Sequence, residues 1–210
     1  MITIFGANGK SGRTLIAHLR QNGFSDGLTA VLRSSEQAND PFYAEHKVQT
    51  LTADVLDLQA CTDAVRQSRP TTVVSFVGGK NSAGVRSDAT GNINIIDAVA
   101  AQAPQARLLL VTSMGCGEQY EGMSDMFKQA LGEAVRAKTE AENHLRQSPL
   151  QWVILRPCGL GDDKGGSHTL HTGLTEIPRD YMDRNGLAAA IVSIIAAEPW
   201  PSETVYSVTD

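Results

Sequence analysis

Ile2-Thr3-Ile4-Phe5-Gly6-Ala7-Asn8-Gly9-Lys10-Ser11-Gly12 opens the chain and runs on into Arg13-Thr14-Leu15-Ile16-Ala17-His18-Leu19. The first four residues form a short run of strand character, and the residues from Gly12 onward read as a helix. Between them stands G-x-x-G-x-x-G, a spacing in which each glycine answers a separate physical need. The first lets the chain leave the strand in a tight turn, the second leaves room for a pyrophosphate against the backbone, and the third lets the helix pack closely. Unsatisfied N–H groups at the helix start, together with the positive end of its dipole, then face an anion. A glycine triplet alone says little; its place after a strand and before a helix is the context that gives it meaning. Gly6, Asn8, Gly9, Lys10, Ser11 and Gly12 are therefore the expected phosphate-binding residues.

Outward from this turn the chain alternates strand and helix patterns. Strands are expected at 2–5, 28–32, 48–52, 71–77, 107–112, 151–155 and 204–208, and helices at 57–66, 85–103, 125–147 and 184–197. Asp57 reads as a helix N-cap, and Pro104 stops the helix before it. Residues 71–77 (Thr-Thr-Val-Val-Ser-Phe-Val) form the continuous run expected of a strand buried on both faces. Such alternation specifies an α/β architecture, a doubly wound parallel sheet of Rossmann type with helices on both faces. No repeat, low-complexity tract or linker divides the chain, so 1–210 is expected to be a single NAD(P)-binding domain. The longest unpatterned stretch, 157–180, is expected to be a substrate-side loop, since long loops inside compact domains tend to carry function.

Composition narrows the function. A chain of 210 residues buries a core large enough to need neither disulfide nor metal. A net charge of −5 with no Lys/Arg cluster argues against a nucleic-acid partner. The three cysteines, Cys61, Cys116 and Cys158, are widely spaced with no C-x-x-C, so neither a zinc site nor a disulfide framework is expected. The apolar runs fall short of a membrane span, and Met1 leads directly into the first strand, without a signal-peptide pattern. The expectation is a cytoplasmic protein that acts on a small molecule as a monomer or homodimer, with no metal, nucleic acid or membrane.

The end of the second strand distinguishes two dinucleotides. An acidic residue there holds the ribose 2′-hydroxyl of NAD, whereas an arginine receives the 2′-phosphate of NADP. Here Leu32 is followed by Arg33 and Ser34, both phosphate donors, and NADP(H) is the expected cofactor; Glu36 is expected to fall beyond the pocket. Asp54 and Val55 follow the third strand, where the carboxylate can accept from an adenine amine and the valine can cover the ring. Gly78 and Gly79 follow the fourth strand and allow close approach to a cofactor ribose.

Taken in order, Gly6 to Gly12, Asp54-Val55, Gly78-Gly79, Val111-Thr112-Ser113, Lys138-Thr139-Glu140-Ala141-Glu142 and Val153-Ile154-Leu155-Arg156-Pro157 span nearly the whole chain. This series resembles the atypical short-chain dehydrogenase/reductases with an NmrA-like NAD(P)H-binding domain. In length and in the segment Arg156 to Asp162 the chain is also similar to the biliverdin reductase B type of flavin reductase. The resemblance implies dinucleotide binding and reductase chemistry, and says little of the substrate. It also shows departures. Main-line short-chain reductases use Tyr-x-x-x-Lys, but four positions before Lys138 stands Ala134. The biliverdin reductase B type places a histidine where this chain has Cys158, and the Arg-x-Asp pattern near the last helix is here Arg184-Asn185-Gly186.

The chemistry left to the chain is that of a hydroxyl and an amine. Ser113, just past the fifth strand, can donate to a substrate carbonyl as charge develops, although it is no proton source at neutral pH. Lys138 is the second catalytic candidate; it either holds the nicotinamide ribose, as the resemblance implies, or pairs with Glu142 at i+4. Met114, Tyr120, Cys158, His168 and His171 are substrate-side candidates, the histidines because they titrate near neutrality. Without the tyrosine acid, the reading is an NADPH-dependent reductase of a planar conjugated acceptor (flavin, quinone or tetrapyrrole-like) whose proton comes from water. Two other readings stay open, a non-catalytic NADP(H) sensor acting through a partner protein and an isomerase or epimerase that retains its cofactor.

Overall fold

The computed structural model describes residues 1–162, 165–175, 177 and 181–210. Along the chain, β1 (Ile2–Phe5) leads to α1 (Lys10–Gln21), β2 (Leu28–Leu32), α2 (Ser35–Ala38), α3 (Pro41–Glu45) and β3 (Gln49–Thr52). Next come α4 (Leu58–Ser68), β4 (Thr72–Ser75), α5 (Thr90–Gln102), β5 (Arg107–Val111), a 3-10 turn at Gly117–Gly122 and α6 (Asp125–Gln147). The remainder is β6 (Gln151–Pro157), β7 (Gly159–Gly161), β8 (Thr169–His171), β9 (Tyr181–Asp183), α7 (Arg184–Ala196) and β10 (Thr204–Thr209).

One sheet of 8 strands, in the order β3-β2-β1-β4-β5-β6-β10-β8, organises the molecule. Its pairings from β3 through β10 are parallel, and β8 joins the edge antiparallel to β10. This is the expected doubly wound Rossmann arrangement. Because strand side chains alternate between faces, β1 presents Ile2 and Ile4 to a core shared with Leu15, Ile16 and Leu19 of α1 and Leu187, Ile191 and Ile194 of α7. Phe5 points to the other core, with Val65 of α4, Ile95 and Val99 of α5 and Leu145 of α6.

The strand order reverses between β1 and β4, since the chain runs outward from β1 to β3 and returns across β1 to begin β4. A crevice opens beyond the carboxyl ends of strands at such a point. The glycine turn lies there. Gly6 has φ +73, and a Cβ on it would stand 3.0 Å from the carbonyl carbon of Phe76, the residue leaving β4. A Cβ on Gly12 would lie 2.6 Å from the Cα of Ala7 and 2.7 Å from the carbonyl oxygen of Gly6. The helix therefore rests directly on the backbone that leaves β1.

Two expectations are corrected. The helix expected at 85–103 begins only at Thr90. Ahead of it, Lys80 bridges Arg86, and the Asn81 side chain accepts from the N–H groups of Ala83 and Val85, so the polar turn takes the backbone donors that a helix start would need. The stretch 157–180 is not a plain loop: it contains β7 and β8, of three residues each, too short to show alternation, while positions 163, 164, 176 and 178–180 lie outside the described residues. The short helices α2 and α3 begin with the side-chain caps Ser34 and Asp40 in a region without helical periodicity. Among the described residues no helix is long and apolar enough to cross a membrane.

Gly12→Ala is expected to lower the unfolding free energy by about 1–3 kcal/mol, because the new methyl meets backbone rather than a movable side chain. Urea denaturation measures it; an unchanged midpoint would show that α1 shifts freely.

Candidate active site

Two cavities flank the turn that follows β4, both at the carboxyl edge of the sheet. The first, about 600 Å³, is polar and is bounded by Asn8, Arg13, Arg33, Ser34, Glu36 and Asn81. Directly after Asn8, α1 starts from Gly9 with no side-chain cap, whereas α4, α6 and α7 are capped by Asp57, Ser124 and Asp183. The first-turn N–H groups of α1 are thus left for an anion. Arg13 donates from Nη2 to Asn8 Oδ1 at 2.8 Å, pairs with Asp40 and lies over the Phe42 ring, 4.7 Å from its centre. That guanidinium, and after it the Phe42 N–H, hold the Asp40 carboxyl below the usual carboxylate range.

Arg33 is exposed, and its guanidinium makes no hydrogen bond or ion pair among the described residues. Ser34 Oγ accepts from the Gln37 N–H at 3.3 Å, capping α2. Glu36 does not fall beyond the pocket; α2 folds back and brings it into the same cavity as Arg33, so an acid and a base both reach that space. Asp54 Oδ1 accepts from the Leu56 N–H at 3.0 Å, and the Val55 side chain packs toward Gly91, while its carbonyl accepts from Asn94.

At the centre of the edge, Gly78 and Gly79 leave β4, and Gly79 has φ +90. Lys138 does not pair with Glu142. Its Nζ lies 3.3 Å from Asp88 Oδ1, and a Cβ on Gly78 would stand 3.0 Å from the same Nζ. Glu142 is unavailable because it is buried against Arg156, 2.6 Å away, and accepts from the Thr112 hydroxyl at 2.7 Å.

The second cavity, about 610 Å³, opens beyond β5 and β6 and is lined mainly by apolar groups, with Ser113, Met114, Phe127, Leu131, Cys158 and Tyr181 on its wall. Ser113 is placed by long-range contacts. The residue before it is tied to Glu142, and the residue after it donates N–H to the Pro157 carbonyl at 2.9 Å. Arg156, 1 % exposed, completes this support by reaching both Glu142 and Glu118. The Arg156 hydrogen bond holds the Glu118 carboxyl below its ordinary range. Cys116 Sγ lies 3.7 Å from Ser113 Oγ, and burial pushes its thiol up, which makes it an inert neighbour.

Three substrate-side candidates fall outside this wall. Tyr120 sits in the 3-10 turn, where its hydroxyl accepts from Arg136 and its ring lies beneath Lys128 and Arg136. His171 is carried off by β8, with its Nε2 2.9 Å from Thr209 Oγ1. His168 precedes that strand and does not line the cavity. Phe127, Leu131 and Tyr181 were missed by sequence reading. For the first two a signal existed, since apolar residues at i and i+4 near the start of α6 remain 45 % and 48 % exposed; for Tyr181 there was none.

Lys10 reaches across from the glycine turn to Asp162, 2.8 Å away, and Asp162 also pairs with Arg184 at the start of α7. The Lys10 and then the Arg184 hydrogen bonds keep the Asp162 carboxyl below its usual range. Arrayed along the edge in sheet order are thus uncapped N–H groups with Arg33, then the Gly78 turn with Lys138, then Ser113 and an apolar cavity. These groups fit a dinucleotide: anion donors at one end, a small-residue turn in the middle and a site for a flat apolar group at the other.

Comparison with known proteins agrees with this geometry. A family model described as NAD(P)H-binding matches residues 6–198. The structure of ChuY, an anaerobilin reductase from Escherichia coli O157:H7, is 31% identical and superimposes with a TM-score of 0.83, covering 99% of this chain and 95% of that one. A short-chain dehydrogenase/reductase from Veillonella parvula in complex with NADP shares the fold, with a TM-score of 0.79 at 19% identity over 100% of this chain and 94% of that one. An uncharacterized chloroplastic protein of Arabidopsis thaliana is 23% identical over 94% of this chain and 70% of its own length.

Gly9 separates binding from folding. A Cβ there meets only the Gly6 carbonyl oxygen, at 3.4 Å, and its φ of −69 suits any residue. Gly9→Val is expected to fold and to bind NADPH more than tenfold more weakly, a loss of over about 1.4 kcal/mol. Calorimetric titration of the folded variant tests this, and unchanged affinity would remove the phosphate from this turn.

Proposed function

Because the chain belongs to the NAD(P)H-binding family, we propose that it is an NADPH-dependent reductase of a small planar conjugated acceptor, such as a flavin, a quinone or a linear tetrapyrrole. The observation that carries this reading is the apolar cavity with Ser113 on its wall, on the same sheet edge as the glycine turn. A likeness at 31% identity to a protein described as an anaerobilin reductase supports an acceptor of the tetrapyrrole kind. All of 1–210 then works as one NAD(P)-binding unit, with 157–180 on the acceptor side.

When bound, the nicotinamide supplies a hydride. The chain's own part is positional and electrostatic. Gly9 and the first-turn N–H groups of α1 hold the pyrophosphate, with Asn8, Lys10 and Ser11 beside it. Arg33 takes the 2′-phosphate with its exposed fork, helped by the Ser34 hydroxyl. Asp54 and Val55 flank the adenine. Gly78 and Gly79 let a ribose approach, and Lys138 donates to it. Ser113 Oγ donates to the acceptor atom on which negative charge grows. Met114 and Cys158 shape the apolar wall against the acceptor ring. Ala134 offers no phenol, so the proton comes from water.

Cofactor selectivity is the first test. NADPH is expected to bind more tightly than NADH, and Arg33→Ala to remove most of the difference while leaving NADH affinity nearly unchanged. A charge-assisted hydrogen bond of this kind contributes about 1.5–3 kcal/mol. Equal losses for the two cofactors would assign Arg33 to the fold, and tighter NADH binding would give the pocket to Glu36.

Turnover is the second. NADPH oxidation is expected with at least one flavin, quinone or linear tetrapyrrole, and Ser113→Ala is expected to lower kcat by up to ~10²–10³-fold. Tyr120→Phe and His168→Ala are expected to matter less. No oxidation across the panel despite tight NADPH binding would favour a sensor. A wild-type rate in Ser113→Ala, with a steep loss in Tyr181→Phe, would transfer the role to the cavity's phenol.

A further inference from the structure

Asp88 is a buried carboxylate that the reading above does not use. It stands two residues ahead of α5, with its side chain 2 % exposed. Burying a charge is costly unless it is paired and hydrogen-bonded, and here both oxygens are engaged. Oδ2 accepts from the Gly79 N–H at 2.8 Å and from Arg86 Nη1 at 2.9 Å, while Oδ1 faces Lys138 Nζ at 3.3 Å. Arg86 is in turn shared with Glu133, which also binds Lys80. The same segment holds the end of β4 by its backbone: Asn92 Nδ2 donates to the carbonyls of Asp88 and Val77, and Asn92 Oδ1 accepts from Ser75 Oγ. A Cβ on Gly78 would lie 2.7 Å from Asp88 Oδ1, so the ion pair sits directly over the turn that leaves β4.

The consequence falls on Lys138. A lysine four residues before a glutamate on one helix would ordinarily be drawn to it, yet Glu142 is taken by Arg156 and Thr112, and the Lys138 amine is drawn over Gly78. The Lys138 side chain is 17 % exposed, and its Nζ lies beside Gly78 where the chain leaves β4. An ammonium has three donors, and Asp88 presents a single carboxylate oxygen to it at 3.3 Å.

We propose that Asp88 is a positioning residue for cofactor binding: anchored by the Gly79 N–H and Arg86, it holds the Lys138 amine over the carboxyl end of β4, with the remaining Lys138 donors turned toward the hydroxyls of the nicotinamide ribose. This rests on the reading that the turn after β4 carries the nicotinamide half of the dinucleotide. The device explains how a chain without the tyrosine of Tyr-x-x-x-Lys keeps its lysine aimed: the partner comes from the start of α5 rather than from α6.

The test uses two ligands and a double-mutant cycle. NADPH spans the whole site, whereas adenosine 2′,5′-bisphosphate contains only the adenosine half. Affinities of both are measured by calorimetry for the wild type, Asp88→Asn, Lys138→Met and the double variant. Asp88→Asn is expected to weaken NADPH about tenfold, the scale of one charge-assisted hydrogen bond, and to leave adenosine 2′,5′-bisphosphate within about twofold. In the Lys138→Met background the same change is expected to cost little, because the group it positions is gone. Equal weakening of both ligands, or an undiminished loss in the Lys138→Met background, would overturn the proposal and make Asp88 a structural residue. Should Asp88→Asn fail to fold, Asp88→Glu takes its place in the cycle: a selective loss of NADPH that vanishes in the Lys138→Met background supports the proposal, and an equal loss of both ligands overturns it. A wild-type chain that binds neither ligand would instead overturn the cofactor reading on which the proposal rests.

Discussion

The contact between Gly12 and the backbone of Ala7 and Gly6 is the constraint from which the rest of the site follows. It brings the first turn of α1 down onto the chain leaving β1, with no room for even a methyl group between them. Gly6 meanwhile touches the backbone leaving β4. Two neighbouring strand ends and one helix start are thereby locked at the point where the strand order reverses. The crevice has its position because these backbones cannot separate without losing the packing of α1 and α7 against β1 and β2. The helix start that results has no side-chain cap, and its unsatisfied donors face the crevice.

A second device, of opposite chemistry, serves the other end of the edge. Arg156 on β6 and Glu142 on α6 form a buried ion pair, which Glu118 of the 3-10 turn joins from the surface, and Thr112 at the end of β5 is bonded to Glu142. Desolvating such charges brings little net stability. What it provides is geometry: it fixes three elements around the segment 112–117, and Ser113 with it. It also occupies Glu142, leaving Lys138 to Asp88. The apolar cavity beside it holds Phe127, Leu131 and Tyr181 at its mouth, where they are partly exposed. An apolar surface of this sort with one hydroxyl on its wall is the lining expected of a small-molecule site.

Which features were legible in the sequence follows from the range over which they are determined. The glycine turn, the Asp57 cap and the helix at 125–147 rest on spacing and caps within a few residues, and all three appear as read. The helix expected from 85 begins only at Thr90, because Asn81 and the Lys80–Arg86 bridge spend the local donors on a turn. The partner of Lys138 was invisible to i+4 reasoning, since it lies 50 positions away and depends on Arg156 having taken the nearer acid. Glu36 enters the polar cavity only because Ser34 caps a one-turn helix that doubles back. Tyr120 and His171 lie in segments where function was plausible, but cation contacts and an added edge strand turn them elsewhere.

The central claim is that the two cavities are the two ends of one dinucleotide site, with the acceptor entering the apolar one. A crystal structure with NADP⁺ bound tests it most directly. The pyrophosphate is expected on the N–H groups that follow Gly9, the 2′-phosphate at Arg33, the ribose beside Lys138 and the nicotinamide next to Ser113, with the apolar cavity still open above the ring. A cofactor bound with its adenosine in the apolar cavity, or with its nicotinamide away from Ser113, would contradict it.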